Sequence, residues 1–164
     1  SNSGSSVGIK KADNIENLKQ AIEYASKYDT KILIEEEILG REIECAVLGN
    51  TDVKATCVGE ILPAEDFYTF DAKYNNAESR VVIPASVEKE KQEEIKKLAV
   101  KAFKAVDGKG LARVDFFIRK SKNKKYINEI NTLPGFTQIS MYPKLWEQCG
   151  ISYSELLDKL IELA

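Results

Sequence analysis

In the stretch "NEINTLPGFT", residues 128–137, Glu129 and Asn131 lie two apart on a short β-type run. Side chains alternate along a strand, so a carboxylate and an amide oxygen share one side. The preceding run, "LARVDFFI", carries Arg113 and Asp115 at the same spacing, beyond the polar turn "RKSKNK". With that turn centred near Lys122, an antiparallel hairpin sets Asp115 opposite Glu129 and Arg113 opposite Asn131, all four on one face. Two carboxylates on a partly covered sheet face repel, and a pKa rises unless a cation sits between them. Magnesium suits such a pair, because it takes hard oxygen ligands, keeps several waters, and links one or two carboxylates to nucleotide phosphates. An ordinary cross-strand ion pair would use the same residues, and spacing alone does not separate the two readings. The loop that follows favours a site. Gly135, after Pro134, lets backbone approach a ligand, and an N–H there can face a developing oxyanion.

Two other stretches carry weaker signals. "GSSVGI", Gly4 to Ile9, flanks two hydroxyls with glycines, so its N–H groups and Ser5 or Ser6 can cradle phosphate oxygens. It lacks the Lys-Ser or Lys-Thr ending of a Walker A loop, and a plain chain start explains it as well. "LIEEEILGRE" sets three successive glutamates after a buried-looking run. As a hinge whose backbone reads adenine, it would place Glu42, past Gly40, to accept hydrogen bonds from ribose hydroxyls. As a solvated acidic bend it would do nothing.

The elements that must position these residues follow from periodicity. After Asp13, read as an N-cap, Ile15, Leu18, Ala21, Ile22 and Ala25 recur at helical spacing. "KILIEEEI" reads as a short strand, "EIECAVLG" alternates acid against apolar, and "VKATCVGEIL" reads as a strand paired with it. Periodicity fails from Pro63 to Pro84, a loop of about twenty residues that carries Phe67, Tyr68, Phe70, Lys73 and Tyr74; loops of this length in a compact domain are commonly functional. Lys73 can reach phosphates and Tyr74 can donate a hydrogen bond. A helix is expected from Ser86 to about Asp107, with Ile95, Leu98, Ala99, Ala102 and Phe103 on its apolar side, and another from Ser152, built on Leu156, Leu157, Leu160 and Ile161. Interleaved helices and largely antiparallel strands point to an α+β layer structure rather than a Rossmann sheet.

Composition narrows the chemistry. The 164 residues are 43% apolar, enough for a core, and 24 basic against 26 acidic side chains leave a net charge of −2. That balance argues against a nucleic acid or an anionic membrane as partner. No apolar run reaches the roughly 20 residues a span requires, and no signal peptide is recognisable, so a cytoplasmic protein acting on small molecules is expected. Cys45, Cys57 and Cys149 show no metal or disulfide spacing and are read as core thiols. There is no histidine, which removes Ser-His-Asp and Cys-His nucleophiles and most catalytic zinc sites within this chain. The chain starts at Ser1 without an initiator Met, as a piece of something longer would.

Taken together, "GSSVGI", "LIEEEILGRE", "DFYTFDAKY", "ARVDFF" and "NEINTLPGFTQISMYP" resemble, in order and spacing, the C-terminal two-thirds of D-alanine:D-alanine ligases of the ATP-grasp superfamily. The match runs over essentially the whole chain, and "NEINTLPGFT" and "DAKY" are its most specific parts. The resemblance implies an α+β, ATP-grasp type fold and an ATP-dependent reaction: phosphorylation of one D-alanine carboxylate, then attack by the amine of a second on the acyl phosphate. It implies ATP with magnesium or manganese, held by Asp115, Glu129 and Asn131, with Arg113 and the Gly135 N–H facing charge on the transferring group and the tetrahedral oxygen. Lys73 resembles the phosphate-contacting lysine of a mobile loop, and Ser5 with Tyr74 the pair bridging loop and substrate. Glu35, Glu36 and Ile38 would meet adenine mainly by backbone, Glu42 the ribose, and Phe67 and Phe117 the purine faces. Ser140 and Met141 match positions that hold the second substrate's carboxylate. The family also has an N-terminal domain, with a glutamate for the first substrate and part of a dimer contact, and an ATP-binding lysine just upstream; neither has a counterpart here. The chain is therefore expected to retain nucleotide and metal residues without native turnover. A D-alanine:D-serine ligase, a nucleotide-binding module without ligase chemistry and a two-metal nuclease remain as alternatives.

Overall fold

The computed structural model describes residues 4–62, 80–119 and 124–164. The chain divides into two compact units, one formed by residues 1–37 and 64–78, the other by 38–63 and 79–164.

The second unit is built on a five-stranded sheet. Its strands are β1 (Gly40–Leu48), β2 (Lys54–Leu62), β3 (Arg80–Val82), β4 (Leu111–Arg119) and β5 (Lys125–Asn131), in spatial order β3-β2-β1-β4-β5, every pair antiparallel. The alternation read in the sequence decides which side each residue takes. Ile43, Cys45, Val47, Val58, Ala112, Val114, Phe116 and Ile118 turn to one side and meet Ile95, Ala99 and Phe103 of α2 (Lys89–Ala105). Seven of these eight strand residues are below 2% exposed. Burial of a complete large apolar side chain stabilises by roughly 1.5–3 kcal/mol, so this layer is a major source of the unit's stability.

The other side carries a second apolar cluster at one end. There Ala46 and Leu48 pack under Met141, Tyr142, Leu145 and Trp146 of α3 (Met141–Gln148) and under Leu156 of α4 (Tyr153–Leu163). Tyr142, wholly buried, donates its hydroxyl to the Val47 carbonyl at 2.9 Å. Ser152 caps α4, accepting from the Glu155 N–H, as its type and position dictate.

The first unit contains α1 (Ile15–Ala25). Its N-cap is Asn14, which accepts the Asn17 N–H at 2.8 Å; the expected cap, Asp13, instead accepts from the Asn14 and Asn17 side chains. The run "KILIEEEI" is not a strand: residues 31–39 have no ladder among the described residues, and Leu33 and Ile34 are exposed. β-propensity expresses itself only where a partner strand accepts the backbone hydrogen bonds.

Other expectations are corrected in detail. Residues 80–82 of the long expected loop form β3, a three-residue strand too short to show a period. α2 starts at Lys89 rather than Ser86. Helix α3 has no forecast at all; Pro143 sits in its first turn, where a missing N–H is harmless. Of the thiols read as core, Cys45 is buried, Cys57 is partly buried, and Cys149 is exposed at the C-cap of α3. Burial pushes the Cys45 thiol up to about 12, which suits an inert core residue.

Candidate functional site

Beyond the end covered by α3 and α4, the same side of the sheet carries polar and charged residues instead of apolar ones. β1 contributes Glu42 and Glu44, β4 contributes Arg113, Asp115 and Phe117, and β5 contributes Glu129 and Asn131. The registers fix their order across the sheet: Glu44 is opposite Asp115, which is opposite Glu129, and Ala46 is opposite Arg113, which is opposite Asn131. Directly paired residues of antiparallel strands present side chains to the same side. The hairpin register expected from the sequence therefore holds at both pairs. Just past Asp115 a β-bulge shifts it by one residue, so that Phe116 pairs with Ile127. Such bulges re-aim side chains beside a site.

Arg113 Nε and Nη2 donate to Asp115 Oδ1 and Oδ2, both at 2.8 Å. Glu44 Oε2 lies 3.1 Å from the same Nε, yet accepts no hydrogen bond, because that N–H is aimed at Asp115. Among the described residues four carboxyl groups, of Glu42, Glu44, Asp115 and Glu129, thus share this face with the Arg113 guanidinium, and Glu44 is only 5% exposed. Burial first, then the charge of Asp115, push the Glu44 carboxyl up to about 8, against the opposing pull of Arg113. Burial works against the Arg113 charge, but the hydrogen bond to Asp115 and the charges of Glu44, Asp115 and Glu129 outweigh it and hold the guanidinium above its usual range. Excess negative charge at a row of hard oxygen donors is the chemistry that accepts a divalent cation, and Asp115, Glu129 and Asn131 fit one on those grounds. No group of three or more His, Cys, Asp or Glu side chains placed to hold a metal ion exists among the described residues.

Glu44 is the residue that the sequence reading passed over. Its signal was there, an acid in the middle of an alternating strand, but its partner Asp115 comes 71 positions later and only the β1–β4 register joins them.

The loop after β5 is held by its own contacts. Phe136 lies between Tyr142 and Tyr153, at ring separations of 5.6 and 5.5 Å, and the Tyr153 hydroxyl donates to the Phe136 carbonyl at 2.8 Å. Ser140 Oγ accepts the Thr137 N–H at 3.0 Å. A Cβ on Gly135 would stand 3.0 Å from that Oγ, so the glycine permits this close approach. Met141 turns its side chain into the core, which leaves its backbone at the start of α3 as the part able to meet a ligand.

Glu42 and Phe117 face each other across β1 and β4, beside the acid row. Ile38, half-buried, precedes β1. In the first unit, Ser5 and Ser6 both adopt left-handed backbone, at φ 54° and 60°, followed by Gly8 at 79°. Left-handed non-glycine residues cluster where function demands them. Glu35 and Glu36 are exposed, and the neighbouring Glu37 pairs with Lys11 at 2.6 Å. Phe67, Lys73 and Tyr74 lie outside the described residues. Grooves of about 280 and 300 Å³ occur elsewhere, around Arg41 and Lys91 and around Lys144 and Tyr153, and their linings contain none of the expected site residues. Among the described residues no helix is long and apolar enough to cross a membrane.

Comparison with known proteins bears on this arrangement. A family model described as D-ala D-ala ligase C-terminus matches residues 1–162. The chain is similar to the D-alanine–D-alanine ligase of Acetivibrio thermocellus, 60% identical over 164 residues, all of this chain and 44% of that protein. Among solved structures it is similar to the VanG D-Ala:D-Ser ligase from Enterococcus faecalis, with a TM-score of 0.86 and 40% identity over 98% of this chain and 46% of that one. It is also similar to the D-alanine–D-alanine ligase from Bacillus anthracis complexed with ATP, with a TM-score of 0.77 and 29% identity over 92% of this chain and 46% of that one. The chain spans about half the length of the curated relatives it matches. The α+β architecture expected of an ATP-grasp protein is the one observed.

Proposed function

The chain belongs to the D-Ala–D-Ala ligase C-terminal family, and on that premise we propose that it is the nucleotide- and cation-handling part of an ATP-dependent ligase joining two D-alanines. The products are D-alanyl-D-alanine, ADP and phosphate, by way of an acyl phosphate. The observation that carries this reading is the row Glu44, Asp115, Glu129 with the guanidinium of Arg113 beside it.

In this reading Asp115, Glu129 and Asn131 hold magnesium, which neutralises charge on the phosphoryl group in transfer. Arg113 supplies positive charge to the same group, and the Gly135 N–H faces the oxygen of the tetrahedral intermediate. Glu35, Glu36 and Ile38 meet adenine by backbone, Phe117 and Phe67 flank it, and Glu42 accepts from the ribose. Ser5, Lys73 and Tyr74 belong to the parts that close over the phosphates and exclude water from a hydrolysable intermediate. Ser140 and the Met141 backbone take the second substrate's carboxylate. The remaining half of the enzyme brings the first substrate's amine site and a homodimer contact. Its product serves peptidoglycan synthesis in the cytoplasm.

Calorimetric titration with magnesium-ATP tests the central part. Glu129→Gln is expected to weaken binding about tenfold or more, the scale of one lost charge-assisted contact. An unchanged titration contradicts the proposal and favours a module in which the hairpin acids are structural. The likeness to a D-Ala:D-Ser ligase supports a second reading in which the second substrate is D-serine. A hydroxyl changes selectivity by a few kcal/mol at most, according to pocket shape. Product analysis with each amino acid in the complete enzyme distinguishes the two.

A further inference from the structure

Arg113 has two carboxylate neighbours and uses only one. Both of its donating nitrogens on this side serve Asp115, while Glu44 Oε2, 3.1 Å from Nε, is buried and receives no hydrogen bond. A buried acceptor left without a donor is costly, and native structures rarely tolerate one without a reason. Glu44 is also firmly placed: it sits mid-strand in β1, between the fully buried Ile43 and Cys45, with β2 and β4 on either side. Asp115 is on β4, facing the edge strand β5. The inner acid is fixed, and the outer one faces the candidate cation site.

We propose that Glu44 is a positioning residue that takes over Arg113 when Asp115 turns to its ligand, so that the guanidinium pivots between two carboxylates instead of losing its anchor. The proton on Nε moves from an Asp115 acceptor to a Glu44 acceptor by rotation of the guanidinium, and no bond is made or broken. The inference rests on the reading of Asp115 and Glu129 as cation ligands. It adds a role for a residue outside the set read as nucleotide or metal ligands.

The test reads Arg113 directly, through its side-chain Nε–H resonance in protein labelled with ¹⁵N-arginine; there are four arginines, and Arg113→Lys assigns the signal. In the unliganded protein, Asp115→Ala, which removes the competing acceptor, is expected to leave the Arg113 Nε–H protected from solvent exchange, because Glu44 accepts it. Adding Glu44→Met to that variant, which fills the volume without an oxygen acceptor, is expected to speed exchange about tenfold or more, as loss of the acceptor implies. With magnesium and a non-hydrolysable ATP analogue, the wild-type signal shifts but stays protected, whereas in Glu44→Met it loses protection by a similar factor. Glu44→Leu replaces Glu44→Met if the latter disturbs the backbone amide spectrum. Protection that survives the loss of Glu44 in the liganded protein overturns the proposal, as does exposure of Arg113 by Asp115→Ala alone. A wild-type spectrum unmoved by magnesium and the analogue refutes the cation reading and the hand-over with it, while the unliganded arm separately decides whether Glu44 can hold Arg113.

Discussion

On the α2 side of the sheet, Arg41 meets Glu60: Nε and Nη2 donate to the two carboxylate oxygens, both at 2.6 Å, and Nη2 also reaches the Ser86 carbonyl at 2.9 Å. Glu60 is 5% exposed, no more than Glu44. On the opposite side Arg113 meets Asp115 in the same bidentate manner, but Glu44 and Glu129 stand beside the pair. Among the described residues the first cluster is balanced and every buried oxygen in it has a donor; the second gathers more acids than bases and has one orphaned oxygen. Burial and ion pairing are common to both, so neither marks a site. The departure from charge balance does, because only an imbalance leaves something for a ligand to complete.

The largest effect that can break this comparison comes from the balanced side. Arg41→Ala leaves Glu60 without its two charge-assisted hydrogen bonds, and because Arg41 is one-third exposed water partly replaces them, so the loss is about 2–3 kcal/mol. Thermal unfolding should register that loss, while magnesium-ATP affinity of the folded variant stays close to wild type; a fall in affinity comparable to that of Glu129→Gln would show that the two sides are not independent.

A smaller effect tests the covered end of the acidic side. A Cβ on Gly59 of β2 would stand 2.9 Å from the Met141 sulfur and 3.1 Å from Leu145. Gly59→Ala is expected to destabilise by about 1–3 kcal/mol through overpacking, and to disturb the Gly135–Ser140 loop that α3 supports. Amide hydrogen exchange should rise in residues 135–148; unchanged exchange would mean that α3 is not what braces the loop.

The smallest effect is the most telling about design. Glu129 is exposed, and charge interactions at exposed positions contribute little, so Glu129→Gln should change stability by less than about 1 kcal/mol. Chemical denaturation checks this. A clear loss of stability would turn Glu129 into a structural partner like Glu60.

How far this could be read from the sequence depended on distance along the chain. The pairing of Asp115 with Glu129 needed only a turn centre and period two, both local to one hairpin. Glu44 required the β1–β4 register, which no local pattern encodes. α3 was hidden by Pro143 and by a length of eight residues, too short for a period to emerge beside a glycine-containing loop. Residues 31–39 show the converse failure. Their β-type composition was plain, but a strand is a property of two segments, and among the described residues nothing lies alongside to pair with them. The loop residues Phe67, Lys73 and Tyr74 carried meaning through resemblance alone.

Paramagnetic broadening by manganese, added with a non-hydrolysable ATP analogue, compares the two clusters in one spectrum. A cation held by Asp115, Glu129 and Asn131 should broaden the amide resonances of those residues most strongly, broaden those around Arg41 and Glu60 less, since Glu60 lies two strands away from Asp115, and release the broadening when a chelator is added. Broadening that centres on Glu60, or that spares the hairpin, would contradict the assignment of Asp115 and Glu129 as cation ligands.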